Sequence, residues 1–447
     1  MQIDDHLVQT IDDLIQETYK ATEPGAAVIV VKDGEVVFRK GHGMANLELG
    51  VPIEPDMVFR IGSITKQFTA VAILMLVEQG KLSLNDSISK FLPDYPTQGH
   101  VITVEHLLTH TSGIKNYTDM PEWLSLWRKD FTVEELITFF KDQPMDFAPD
   151  TRWAYSNSGY ILLGAIIEKV SSQTYEQFIQ QNIFTPLGMK QSYYDSTSRV
   201  ILRRVAGYGK DSEGYINAHY ISMTQAYSGG ALASTVDDLA IWDAALYTEQ
   251  LLKQTALQQA FIPHQLANGD STSYGYGWKI SEYEGHLQIT HRGGIDGFLS
   301  YAIRMPNDRI FVAVFSNNEG VDPEQLAFKI AASVIGNPYK EPVAIELSPE
   351  AIARYEGVYK INASEERYIT REGSQLFSQR GQGPRVELVA CAPNEFFIKG
   401  NSFVHFRFIS DASEAVIAVE MLGRSSDIDV AKKFDELALE IPRNTIS

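Results

Sequence analysis

Ser63 and Lys66 stand three positions apart at the front of a long apolar run, ITKQFTAVAILMLVEQG. Positions i and i+3 share a helix face, so the hydroxyl and the amine reach one spot. The run is apolar on nearly every face and ends at Gly80, which predicts a buried helix stopped by a glycine cap. An ammonium held away from water is disfavoured and its pKa falls. Lys66 could then take the Ser63 proton near neutral pH, making the serine a nucleophile beside its own base. Alone, such a pair is more often a serine that caps a helix and a lysine that snorkels to solvent.

Two further segments change that balance. Tyr155-Ser156-Asn157 follows a turn signal, Pro149-Asp150-Thr151-Arg152, and precedes the apolar stretch GYILLGAIIEKV, so it opens a second helix. There a phenol and a carboxamide sit side by side, one able to move protons and one able to bind an amide oxygen. His291-Arg292-Gly293-Gly294 lies in a strand-like stretch, LQITHRGGIDGFLSYAIRM, and glycine within a strand often marks close approach by a ligand or another backbone. Singly, these read as an ordinary surface tyrosine and an ordinary bulge.

In order and together, the three segments resemble the penicillin-recognising serine hydrolases, in the branch of class C β-lactamases, D-aminopeptidases, DD-carboxypeptidases and related esterases. Ser-x-x-Lys is the first motif of that superfamily. HLLTHTSGI at 106–114, FTPLGM at 184–189 and SGGALASTVDDLAIW at 228–242 extend the likeness over roughly the first three quarters of the chain. The resemblance implies Ser63 as the acylated nucleophile, Lys66 as general base and Tyr155 as proton relay to the leaving group. It implies Asn157, His291 and Gly293 as substrate-binding residues, and the N–H groups of Ser63 and Gly294 as an oxyanion hole. No metal and no cofactor is implied. One position departs from the β-lactamase pattern: His291 replaces the usual lysine, so a fixed charge for a substrate carboxylate is missing. Histidine there is similar to the D-aminopeptidases, and β-lactam hydrolysis is expected to be weak or absent. Arg292 carries a charge, but strand alternation turns it away from the face of His291.

The elements that must position these groups follow from the pattern of the rest. AAVIVVKDGEVVFRKG, with Asp33-Gly34 at its turn, and FLSYAIRMPNDRIFVAVFSN predict two hairpins that join as one antiparallel sheet. An amphipathic N-terminal helix, with Ile3, Leu7, Ile11, Leu14 and Ile15 on one stripe, and the segment PEQLAFKIAASVIG cover it. The Ser63 and Tyr155 helices belong to a helical lobe. The expectation is thus an α+β domain over 1–340, an antiparallel sheet flanked by helices plus a helical lobe, of β-lactamase/transpeptidase-like fold. After the proline-rich stretch near 340, short alternating strands over 345–447 predict a small all-β barrel or sandwich, similar to the lipocalin-like domain of some D-aminopeptidases.

Composition narrows the function classes. A net charge of −19 argues against nucleic acid as a partner, and no apolar run reaches the roughly 18 residues of a membrane span. A single cysteine, Cys391, fits a reducing compartment. The cytoplasm is therefore expected, or export if a leader has been removed. His106 and His110 have the i, i+4 spacing of helix-borne metal ligands but lack the glutamate order of H-E-x-x-H, and read as a structural helix end. Tyr117, Trp123 and Trp127 could roof a pocket, though packing residues more often look this way. Ser228 lacks the G-x-S-x-G context of a nucleophile. The reading is a metal-independent serine hydrolase acting on a small peptide, amide or ester, first of all a peptidase or amidase for D-amino-acid-containing peptides. A carboxylesterase or a slowly turning over penicillin- or peptide-binding sensor are the alternatives, and homo-oligomerisation stays open.

Overall fold

The central strands, Ala26–Lys32 and Ile310–Ser316, are apolar at every position but the last because the sheet they form is covered on both faces. The computed structural model describes residues 5–361, 365–423 and 428–433, and the chain divides into two compact units, Met1–Pro338 and Tyr339–Ser447. In the first unit six antiparallel strands run in the order Lys279–Tyr283, His286–Ile295, Phe298–Met305, Ile310–Ser316, Ala26–Lys32 and Glu35–His42. Both hairpins read from the sequence are present, and Ala26↔Ser316 to Lys32↔Ile310 pairing joins them.

One face takes the helices Asp5–Thr18 and Pro323–Val334. Leu7, Ile11 and Ile15 meet Val28, Val30, Ile303, Val312 and Val314 there. Leu14 is half-buried at the edge of that stripe, and Ile3 lies outside the described residues. The opposite face, with Ala27, Ile29, Ala313 and Phe315, belongs to the same core as the helical lobe. Each large aliphatic or aromatic side chain so buried contributes about 1.5–3 kcal/mol.

Within the lobe the helix Thr65–Glu78 is buried on nearly all sides, as its sequence predicts. Phe68 stacks on Trp242 with ring centroids 4.2 Å apart, and Trp242 Nε1–H donates to Gln67 Oε1 at 3.0 Å, pinning this helix to Val236–Ala245. The second lobe helix, Asn157–Ser171, starts at Ser156, whose hydroxyl caps the Gly159 N–H.

The strand that feeds Ser63 is only two residues long, Phe59–Arg60, in a small sheet with Leu232–Ser234 and Tyr193–Tyr194. A fully buried carboxylate anchors it. Asp195 accepts from Arg60 Nε and from Arg204 Nη1, both at 2.7 Å.

The second unit is a closed barrel of eight antiparallel strands, each paired with the next in sequence. Closure is made by Gly357–Lys360 against Ile428–Lys433. Tyr355, Tyr359, Phe396, Phe406 and Phe408 fill its core. A sandwich, the other reading of the strand spacing, is excluded by that closure.

Truncating Asp195 strands two arginines beside an apolar core, and breaking a buried pair in this way typically costs about 3–5 kcal/mol. Asp195→Ala is expected to lower the unfolding free energy of the first unit by that amount in urea titration. A loss below about 1 kcal/mol, the value of an exposed pair, would show that the anchor carries no such load.

Candidate active site

Ser63 sits in the single turn Gly62–Ile64 that enters the helix Thr65–Glu78, and its side chain is half-exposed. Lys66 is wholly buried one turn on. Its Nζ lies 3.0 Å from Ser63 Oγ, 2.8 Å from Asn157 Oδ1 and 2.8 Å from the Gly229 carbonyl. The faces of Tyr155 and Tyr160 are 4.8 and 5.3 Å from the same nitrogen.

These three partners define what the amine can do. The Gly229 oxygen can only accept, and so can Asn157 Oδ1, because the Asn157 amide nitrogen is oriented by donating to Thr118 Oγ1 at 3.2 Å. A neutral amine has two N–H groups for these acceptors and one lone pair left. The remaining partner, Ser63, is a hydroxyl able to donate into that lone pair. Burial holds the Lys66 pKa well below its ordinary value, so the neutral form belongs here. The arrangement can accept a proton from a serine.

The Tyr155 phenol interacts with the Ser63 side chain. Burial pushes that phenol well above its ordinary value, so it stays protonated at neutral pH. The two candidate bases are thereby separated: the amine is shifted toward acceptance and the phenol away from it.

The third motif reaches the site along the strand His286–Ile295. Gly62 has φ +49°, and a Cβ on it would stand 2.7 Å from the Gly294 amide nitrogen. A Cβ on Gly293 would stand 2.0 Å from the Ile61 carbonyl oxygen. Both glycines are required because the strand lies directly on the turn that carries Ser63. The Gly294 and Ser63 amides are therefore neighbours across this contact.

His291 has a different setting from a direct substrate contact. It is 5% exposed, and both ring nitrogens are engaged within the protein. Nδ1 is 2.6 Å from the Arg292 carbonyl, which can only accept, so Nδ1 carries the hydrogen. Nε2 then accepts from the Tyr274 hydroxyl at 2.8 Å. Burial, with the nearby Lys66 next, pulls the ring down to about 3, and it is neutral across the physiological range. Arg292 points outward, as alternation requires, and pairs with Asp322 at 3.3 Å.

Tyr274 was not among the residues singled out from sequence, and no motif marks it. Gly229 was also missed. Its segment, YSGGAL, matters for a backbone carbonyl and not for Ser228, whose hydroxyl is buried and donates to the Tyr160 carbonyl at 2.8 Å. Tyr117 and Trp123 are bound to Gln225 through their hydroxyl and indole N–H, as packing residues are. Trp127 packs edge-on against Trp123.

Metal-type donors do not converge near Ser63 among the described residues. His106 Nδ1 accepts the Thr103 N–H at its helix start, and His110 Nδ1 accepts the Ser156 N–H, so the i, i+4 pair is spent on backbone. In the barrel unit Cys391, Glu395 and His405 place one ligand atom each within 4.8 Å of one another. Glu395 there is held by Arg407 Nε at 2.7 Å, and a cation on that carboxylate opposes a second one. We assign no metal site to it.

Comparison with known proteins agrees with this geometry. The Beta-lactamase family model matches residues 9–334. Penicillin-binding protein 4* of Bacillus subtilis is 29% identical, over 92% of this chain and 96% of that protein. The octameric penicillin-binding protein homologue from Pyrococcus abyssi is 28% identical with a TM-score of 0.68, covering 96% of this chain and 99% of that one. A D-stereospecific amidohydrolase from Streptomyces is 25% identical with a TM-score of 0.62, over 74% of this chain and 99% of that one.

A depressed Lys66 pKa has a consequence in solution. The amine is a base only above its folded pKa, so the rate of covalent labelling of Ser63 by a fluorophosphonate should fall as pH drops through that value. The acid limb should lie well below 10.5, the ordinary lysine value. A limb near pH 10 would mean that Lys66 is an ordinary ammonium and not the base.

Proposed function

The chain belongs to the beta-lactamase family, and from that premise we propose that it is a serine hydrolase whose preferred substrates are amides and short peptides of D-amino acids. The observation that carries the chemistry is the buried Lys66 amine, its Nζ within hydrogen-bond distance of two acceptors and of Ser63 Oγ. Lys66 takes the Ser63 proton as Oγ attacks the substrate carbonyl. The C–N bond of the tetrahedral intermediate then breaks, and the proton passes through Tyr155 to the departing amine. Water attacks the acyl-enzyme in a second step that regenerates Ser63. The N–H groups of Ser63 and Gly294 supply the oxyanion contacts, each such donor being worth about 3–4 kcal/mol in comparable sites. Asn157 offers its amide to the acyl side of the substrate.

Charge around Ser63 selects the substrate class. His291 is neutral, Lys66 is held toward its neutral form and Arg292 points outward to pair with Asp322, so among the described residues these three supply no fixed cation for a carboxylate. That favours amides over substrates bearing a carboxylate beside the scissile bond, β-lactams included. The D preference rests on likeness to the Streptomyces amidohydrolase, described as D-stereospecific.

Paired D- and L-aminoacyl p-nitroanilides test the proposal directly. Turnover should favour the D form and vanish in Ser63→Ala. Tyr155→Phe should lower the acylation rate by about 10²–10⁴, the usual worth of a positioned proton donor. Equal use of both enantiomers would remove the stereochemical assignment. Turnover of p-nitrophenyl esters alone would replace the amidase by an esterase.

A further inference from the structure

The segment His110-Thr111-Ser112-Gly113-Ile114 carries none of the proposed reacting groups, yet the Tyr155 loop is laid down on it bond by bond. Asp146 N–H donates to the Gly113 carbonyl and Asp150 N–H to the Thr111 carbonyl, each at 2.8 Å. Ser156 Oγ–H then donates to the Ile114 carbonyl at 3.3 Å, and Asn157 N–H donates to Asn116 Oδ1 at 3.0 Å.

At Tyr155 itself the template is one residue. The His110 carbonyl accepts the Ala154 N–H at 3.0 Å, and His110 Nδ1 accepts the Ser156 N–H at 3.1 Å. The backbone N–H groups of Ala154 and Ser156, the residues on either side of Tyr155, are both tied to His110. Its imidazole also lies against the phenol ring, centroids 4.4 Å apart, with Tyr274 at 4.8 Å and Tyr160 at 5.1 Å. His110 reaches this place by taking φ +61°, a conformation uncommon outside glycine that histidine, like Asn and Asp, adopts more often than most residues. Because Nδ1 accepts, the hydrogen is on Nε2, which is buried without a hydrogen-bond partner among these rings. A left-handed backbone and an unpaired buried N–H are both unfavourable, and they coincide at the residue that brackets Tyr155.

We infer that His110 is a positioning residue for the proposed proton relay: it holds Tyr155 in place through the two flanking amides and the ring contact, without touching substrate. The inference rests on the functional reading above for the role of Tyr155, and the geometry also explains why histidine stands here. The ring supplies an acceptor at a fixed distance from its backbone and a flat face for the phenol.

The test reads the rate of Ser63 labelling by a phosphonamidate, whose departing amine needs a proton as an amide substrate's does, in the full-length protein, with near-UV circular dichroism as the check of fold. His110→Gly accepts the backbone conformation but removes both acceptor and ring. It should slow labelling by about 100-fold, the scale of an ångström-level misplacement. The same change in a Tyr155→Phe background should cost less than about threefold, because the relay is already gone. His110→Asn, which tolerates positive φ and carries an acceptor oxygen, should recover at least about a tenth of the native rate. Equal losses in both backgrounds would reduce His110 to a general structural role and overturn the proposal. So would a folded His110→Asn as slow as His110→Gly, and this comparison with native protein stands even if the glycine variant does not fold. Labelling does not depend on the identity of the natural substrate. Failure of the D-amide reading therefore shows as unhydrolysed anilides with normal labelling, a different result from failure of the His110 assignment.

Discussion

Burial of a single amine organises the surroundings of Ser63. Lys66 has no exposed surface, so each of its three polar contacts must come from the protein, and they come from three separate parts of the chain. The most demanding is the Gly229 carbonyl. The chain presents it by kinking at Tyr227, with φ 35° and ψ −131°, inside an otherwise helical segment. Such a backbone costs about 1–3 kcal/mol and persists only where its surroundings hold it. Here the holding is visible: Thr69 Oγ1–H donates to the Ser228 carbonyl at 2.7 Å, and Ser228 Oγ–H returns to Tyr160. Gly164 completes the fit, since a Cβ there would be 2.1 Å from Ser228 Oγ.

The same burial extends to charge. His110 and His291 are both driven toward neutrality, first by desolvation and then by the Lys66 amine, while the phenols of Tyr155, Tyr160 and Tyr274 are driven up. Every titratable group around the serine is thus pushed to its uncharged form. Hydrogen bonds in such a region gain strength because water does not compete. A lysine in place of His291 would add a second amine to the same low-dielectric space, disfavouring whichever was protonated. Histidine keeps that position polar without a charge, at the cost of the cation that recognises a carboxylate.

The parts legible in the sequence are those where chemistry and periodicity coincide. Ser63 and Lys66 share a helix start, Tyr155 and Asn157 share another, and both hairpins carry their turn residues between apolar runs. The outward turn of Arg292 followed from strand alternation alone. What stayed hidden depends on contacts between distant segments. Tyr274 matters through one bond to His291, and Gly229 through a backbone oxygen, neither of which leaves a residue-type signature. The setting of His291 stayed hidden for a related reason: the motif marks the position, but its neighbours decide what the ring nitrogens bond. The barrel was expected from the likeness to lipocalin-like domains and not from strand spacing alone, because closure depends on pairing between its first and last strands.

On the proposed assignment, the burial that makes Lys66 a base also limits how long it can keep the proton. After attack by Ser63 the amine becomes an ammonium in a region that disfavours the charge. Its neighbours offer two fixed acceptors and the faces of two tyrosines, which soften that penalty without removing it. Moving the proton on to the leaving group is then favourable for the site as well as for the reaction. Tyr155 is the group placed to do this, since its phenol meets Ser63 and its ring lies beside Lys66. A phenol kept protonated can donate to the departing nitrogen as it receives from the amine, and it need never exist as a phenolate. The depressed lysine and the elevated tyrosine are therefore one device: each makes the other's part of the transfer easier.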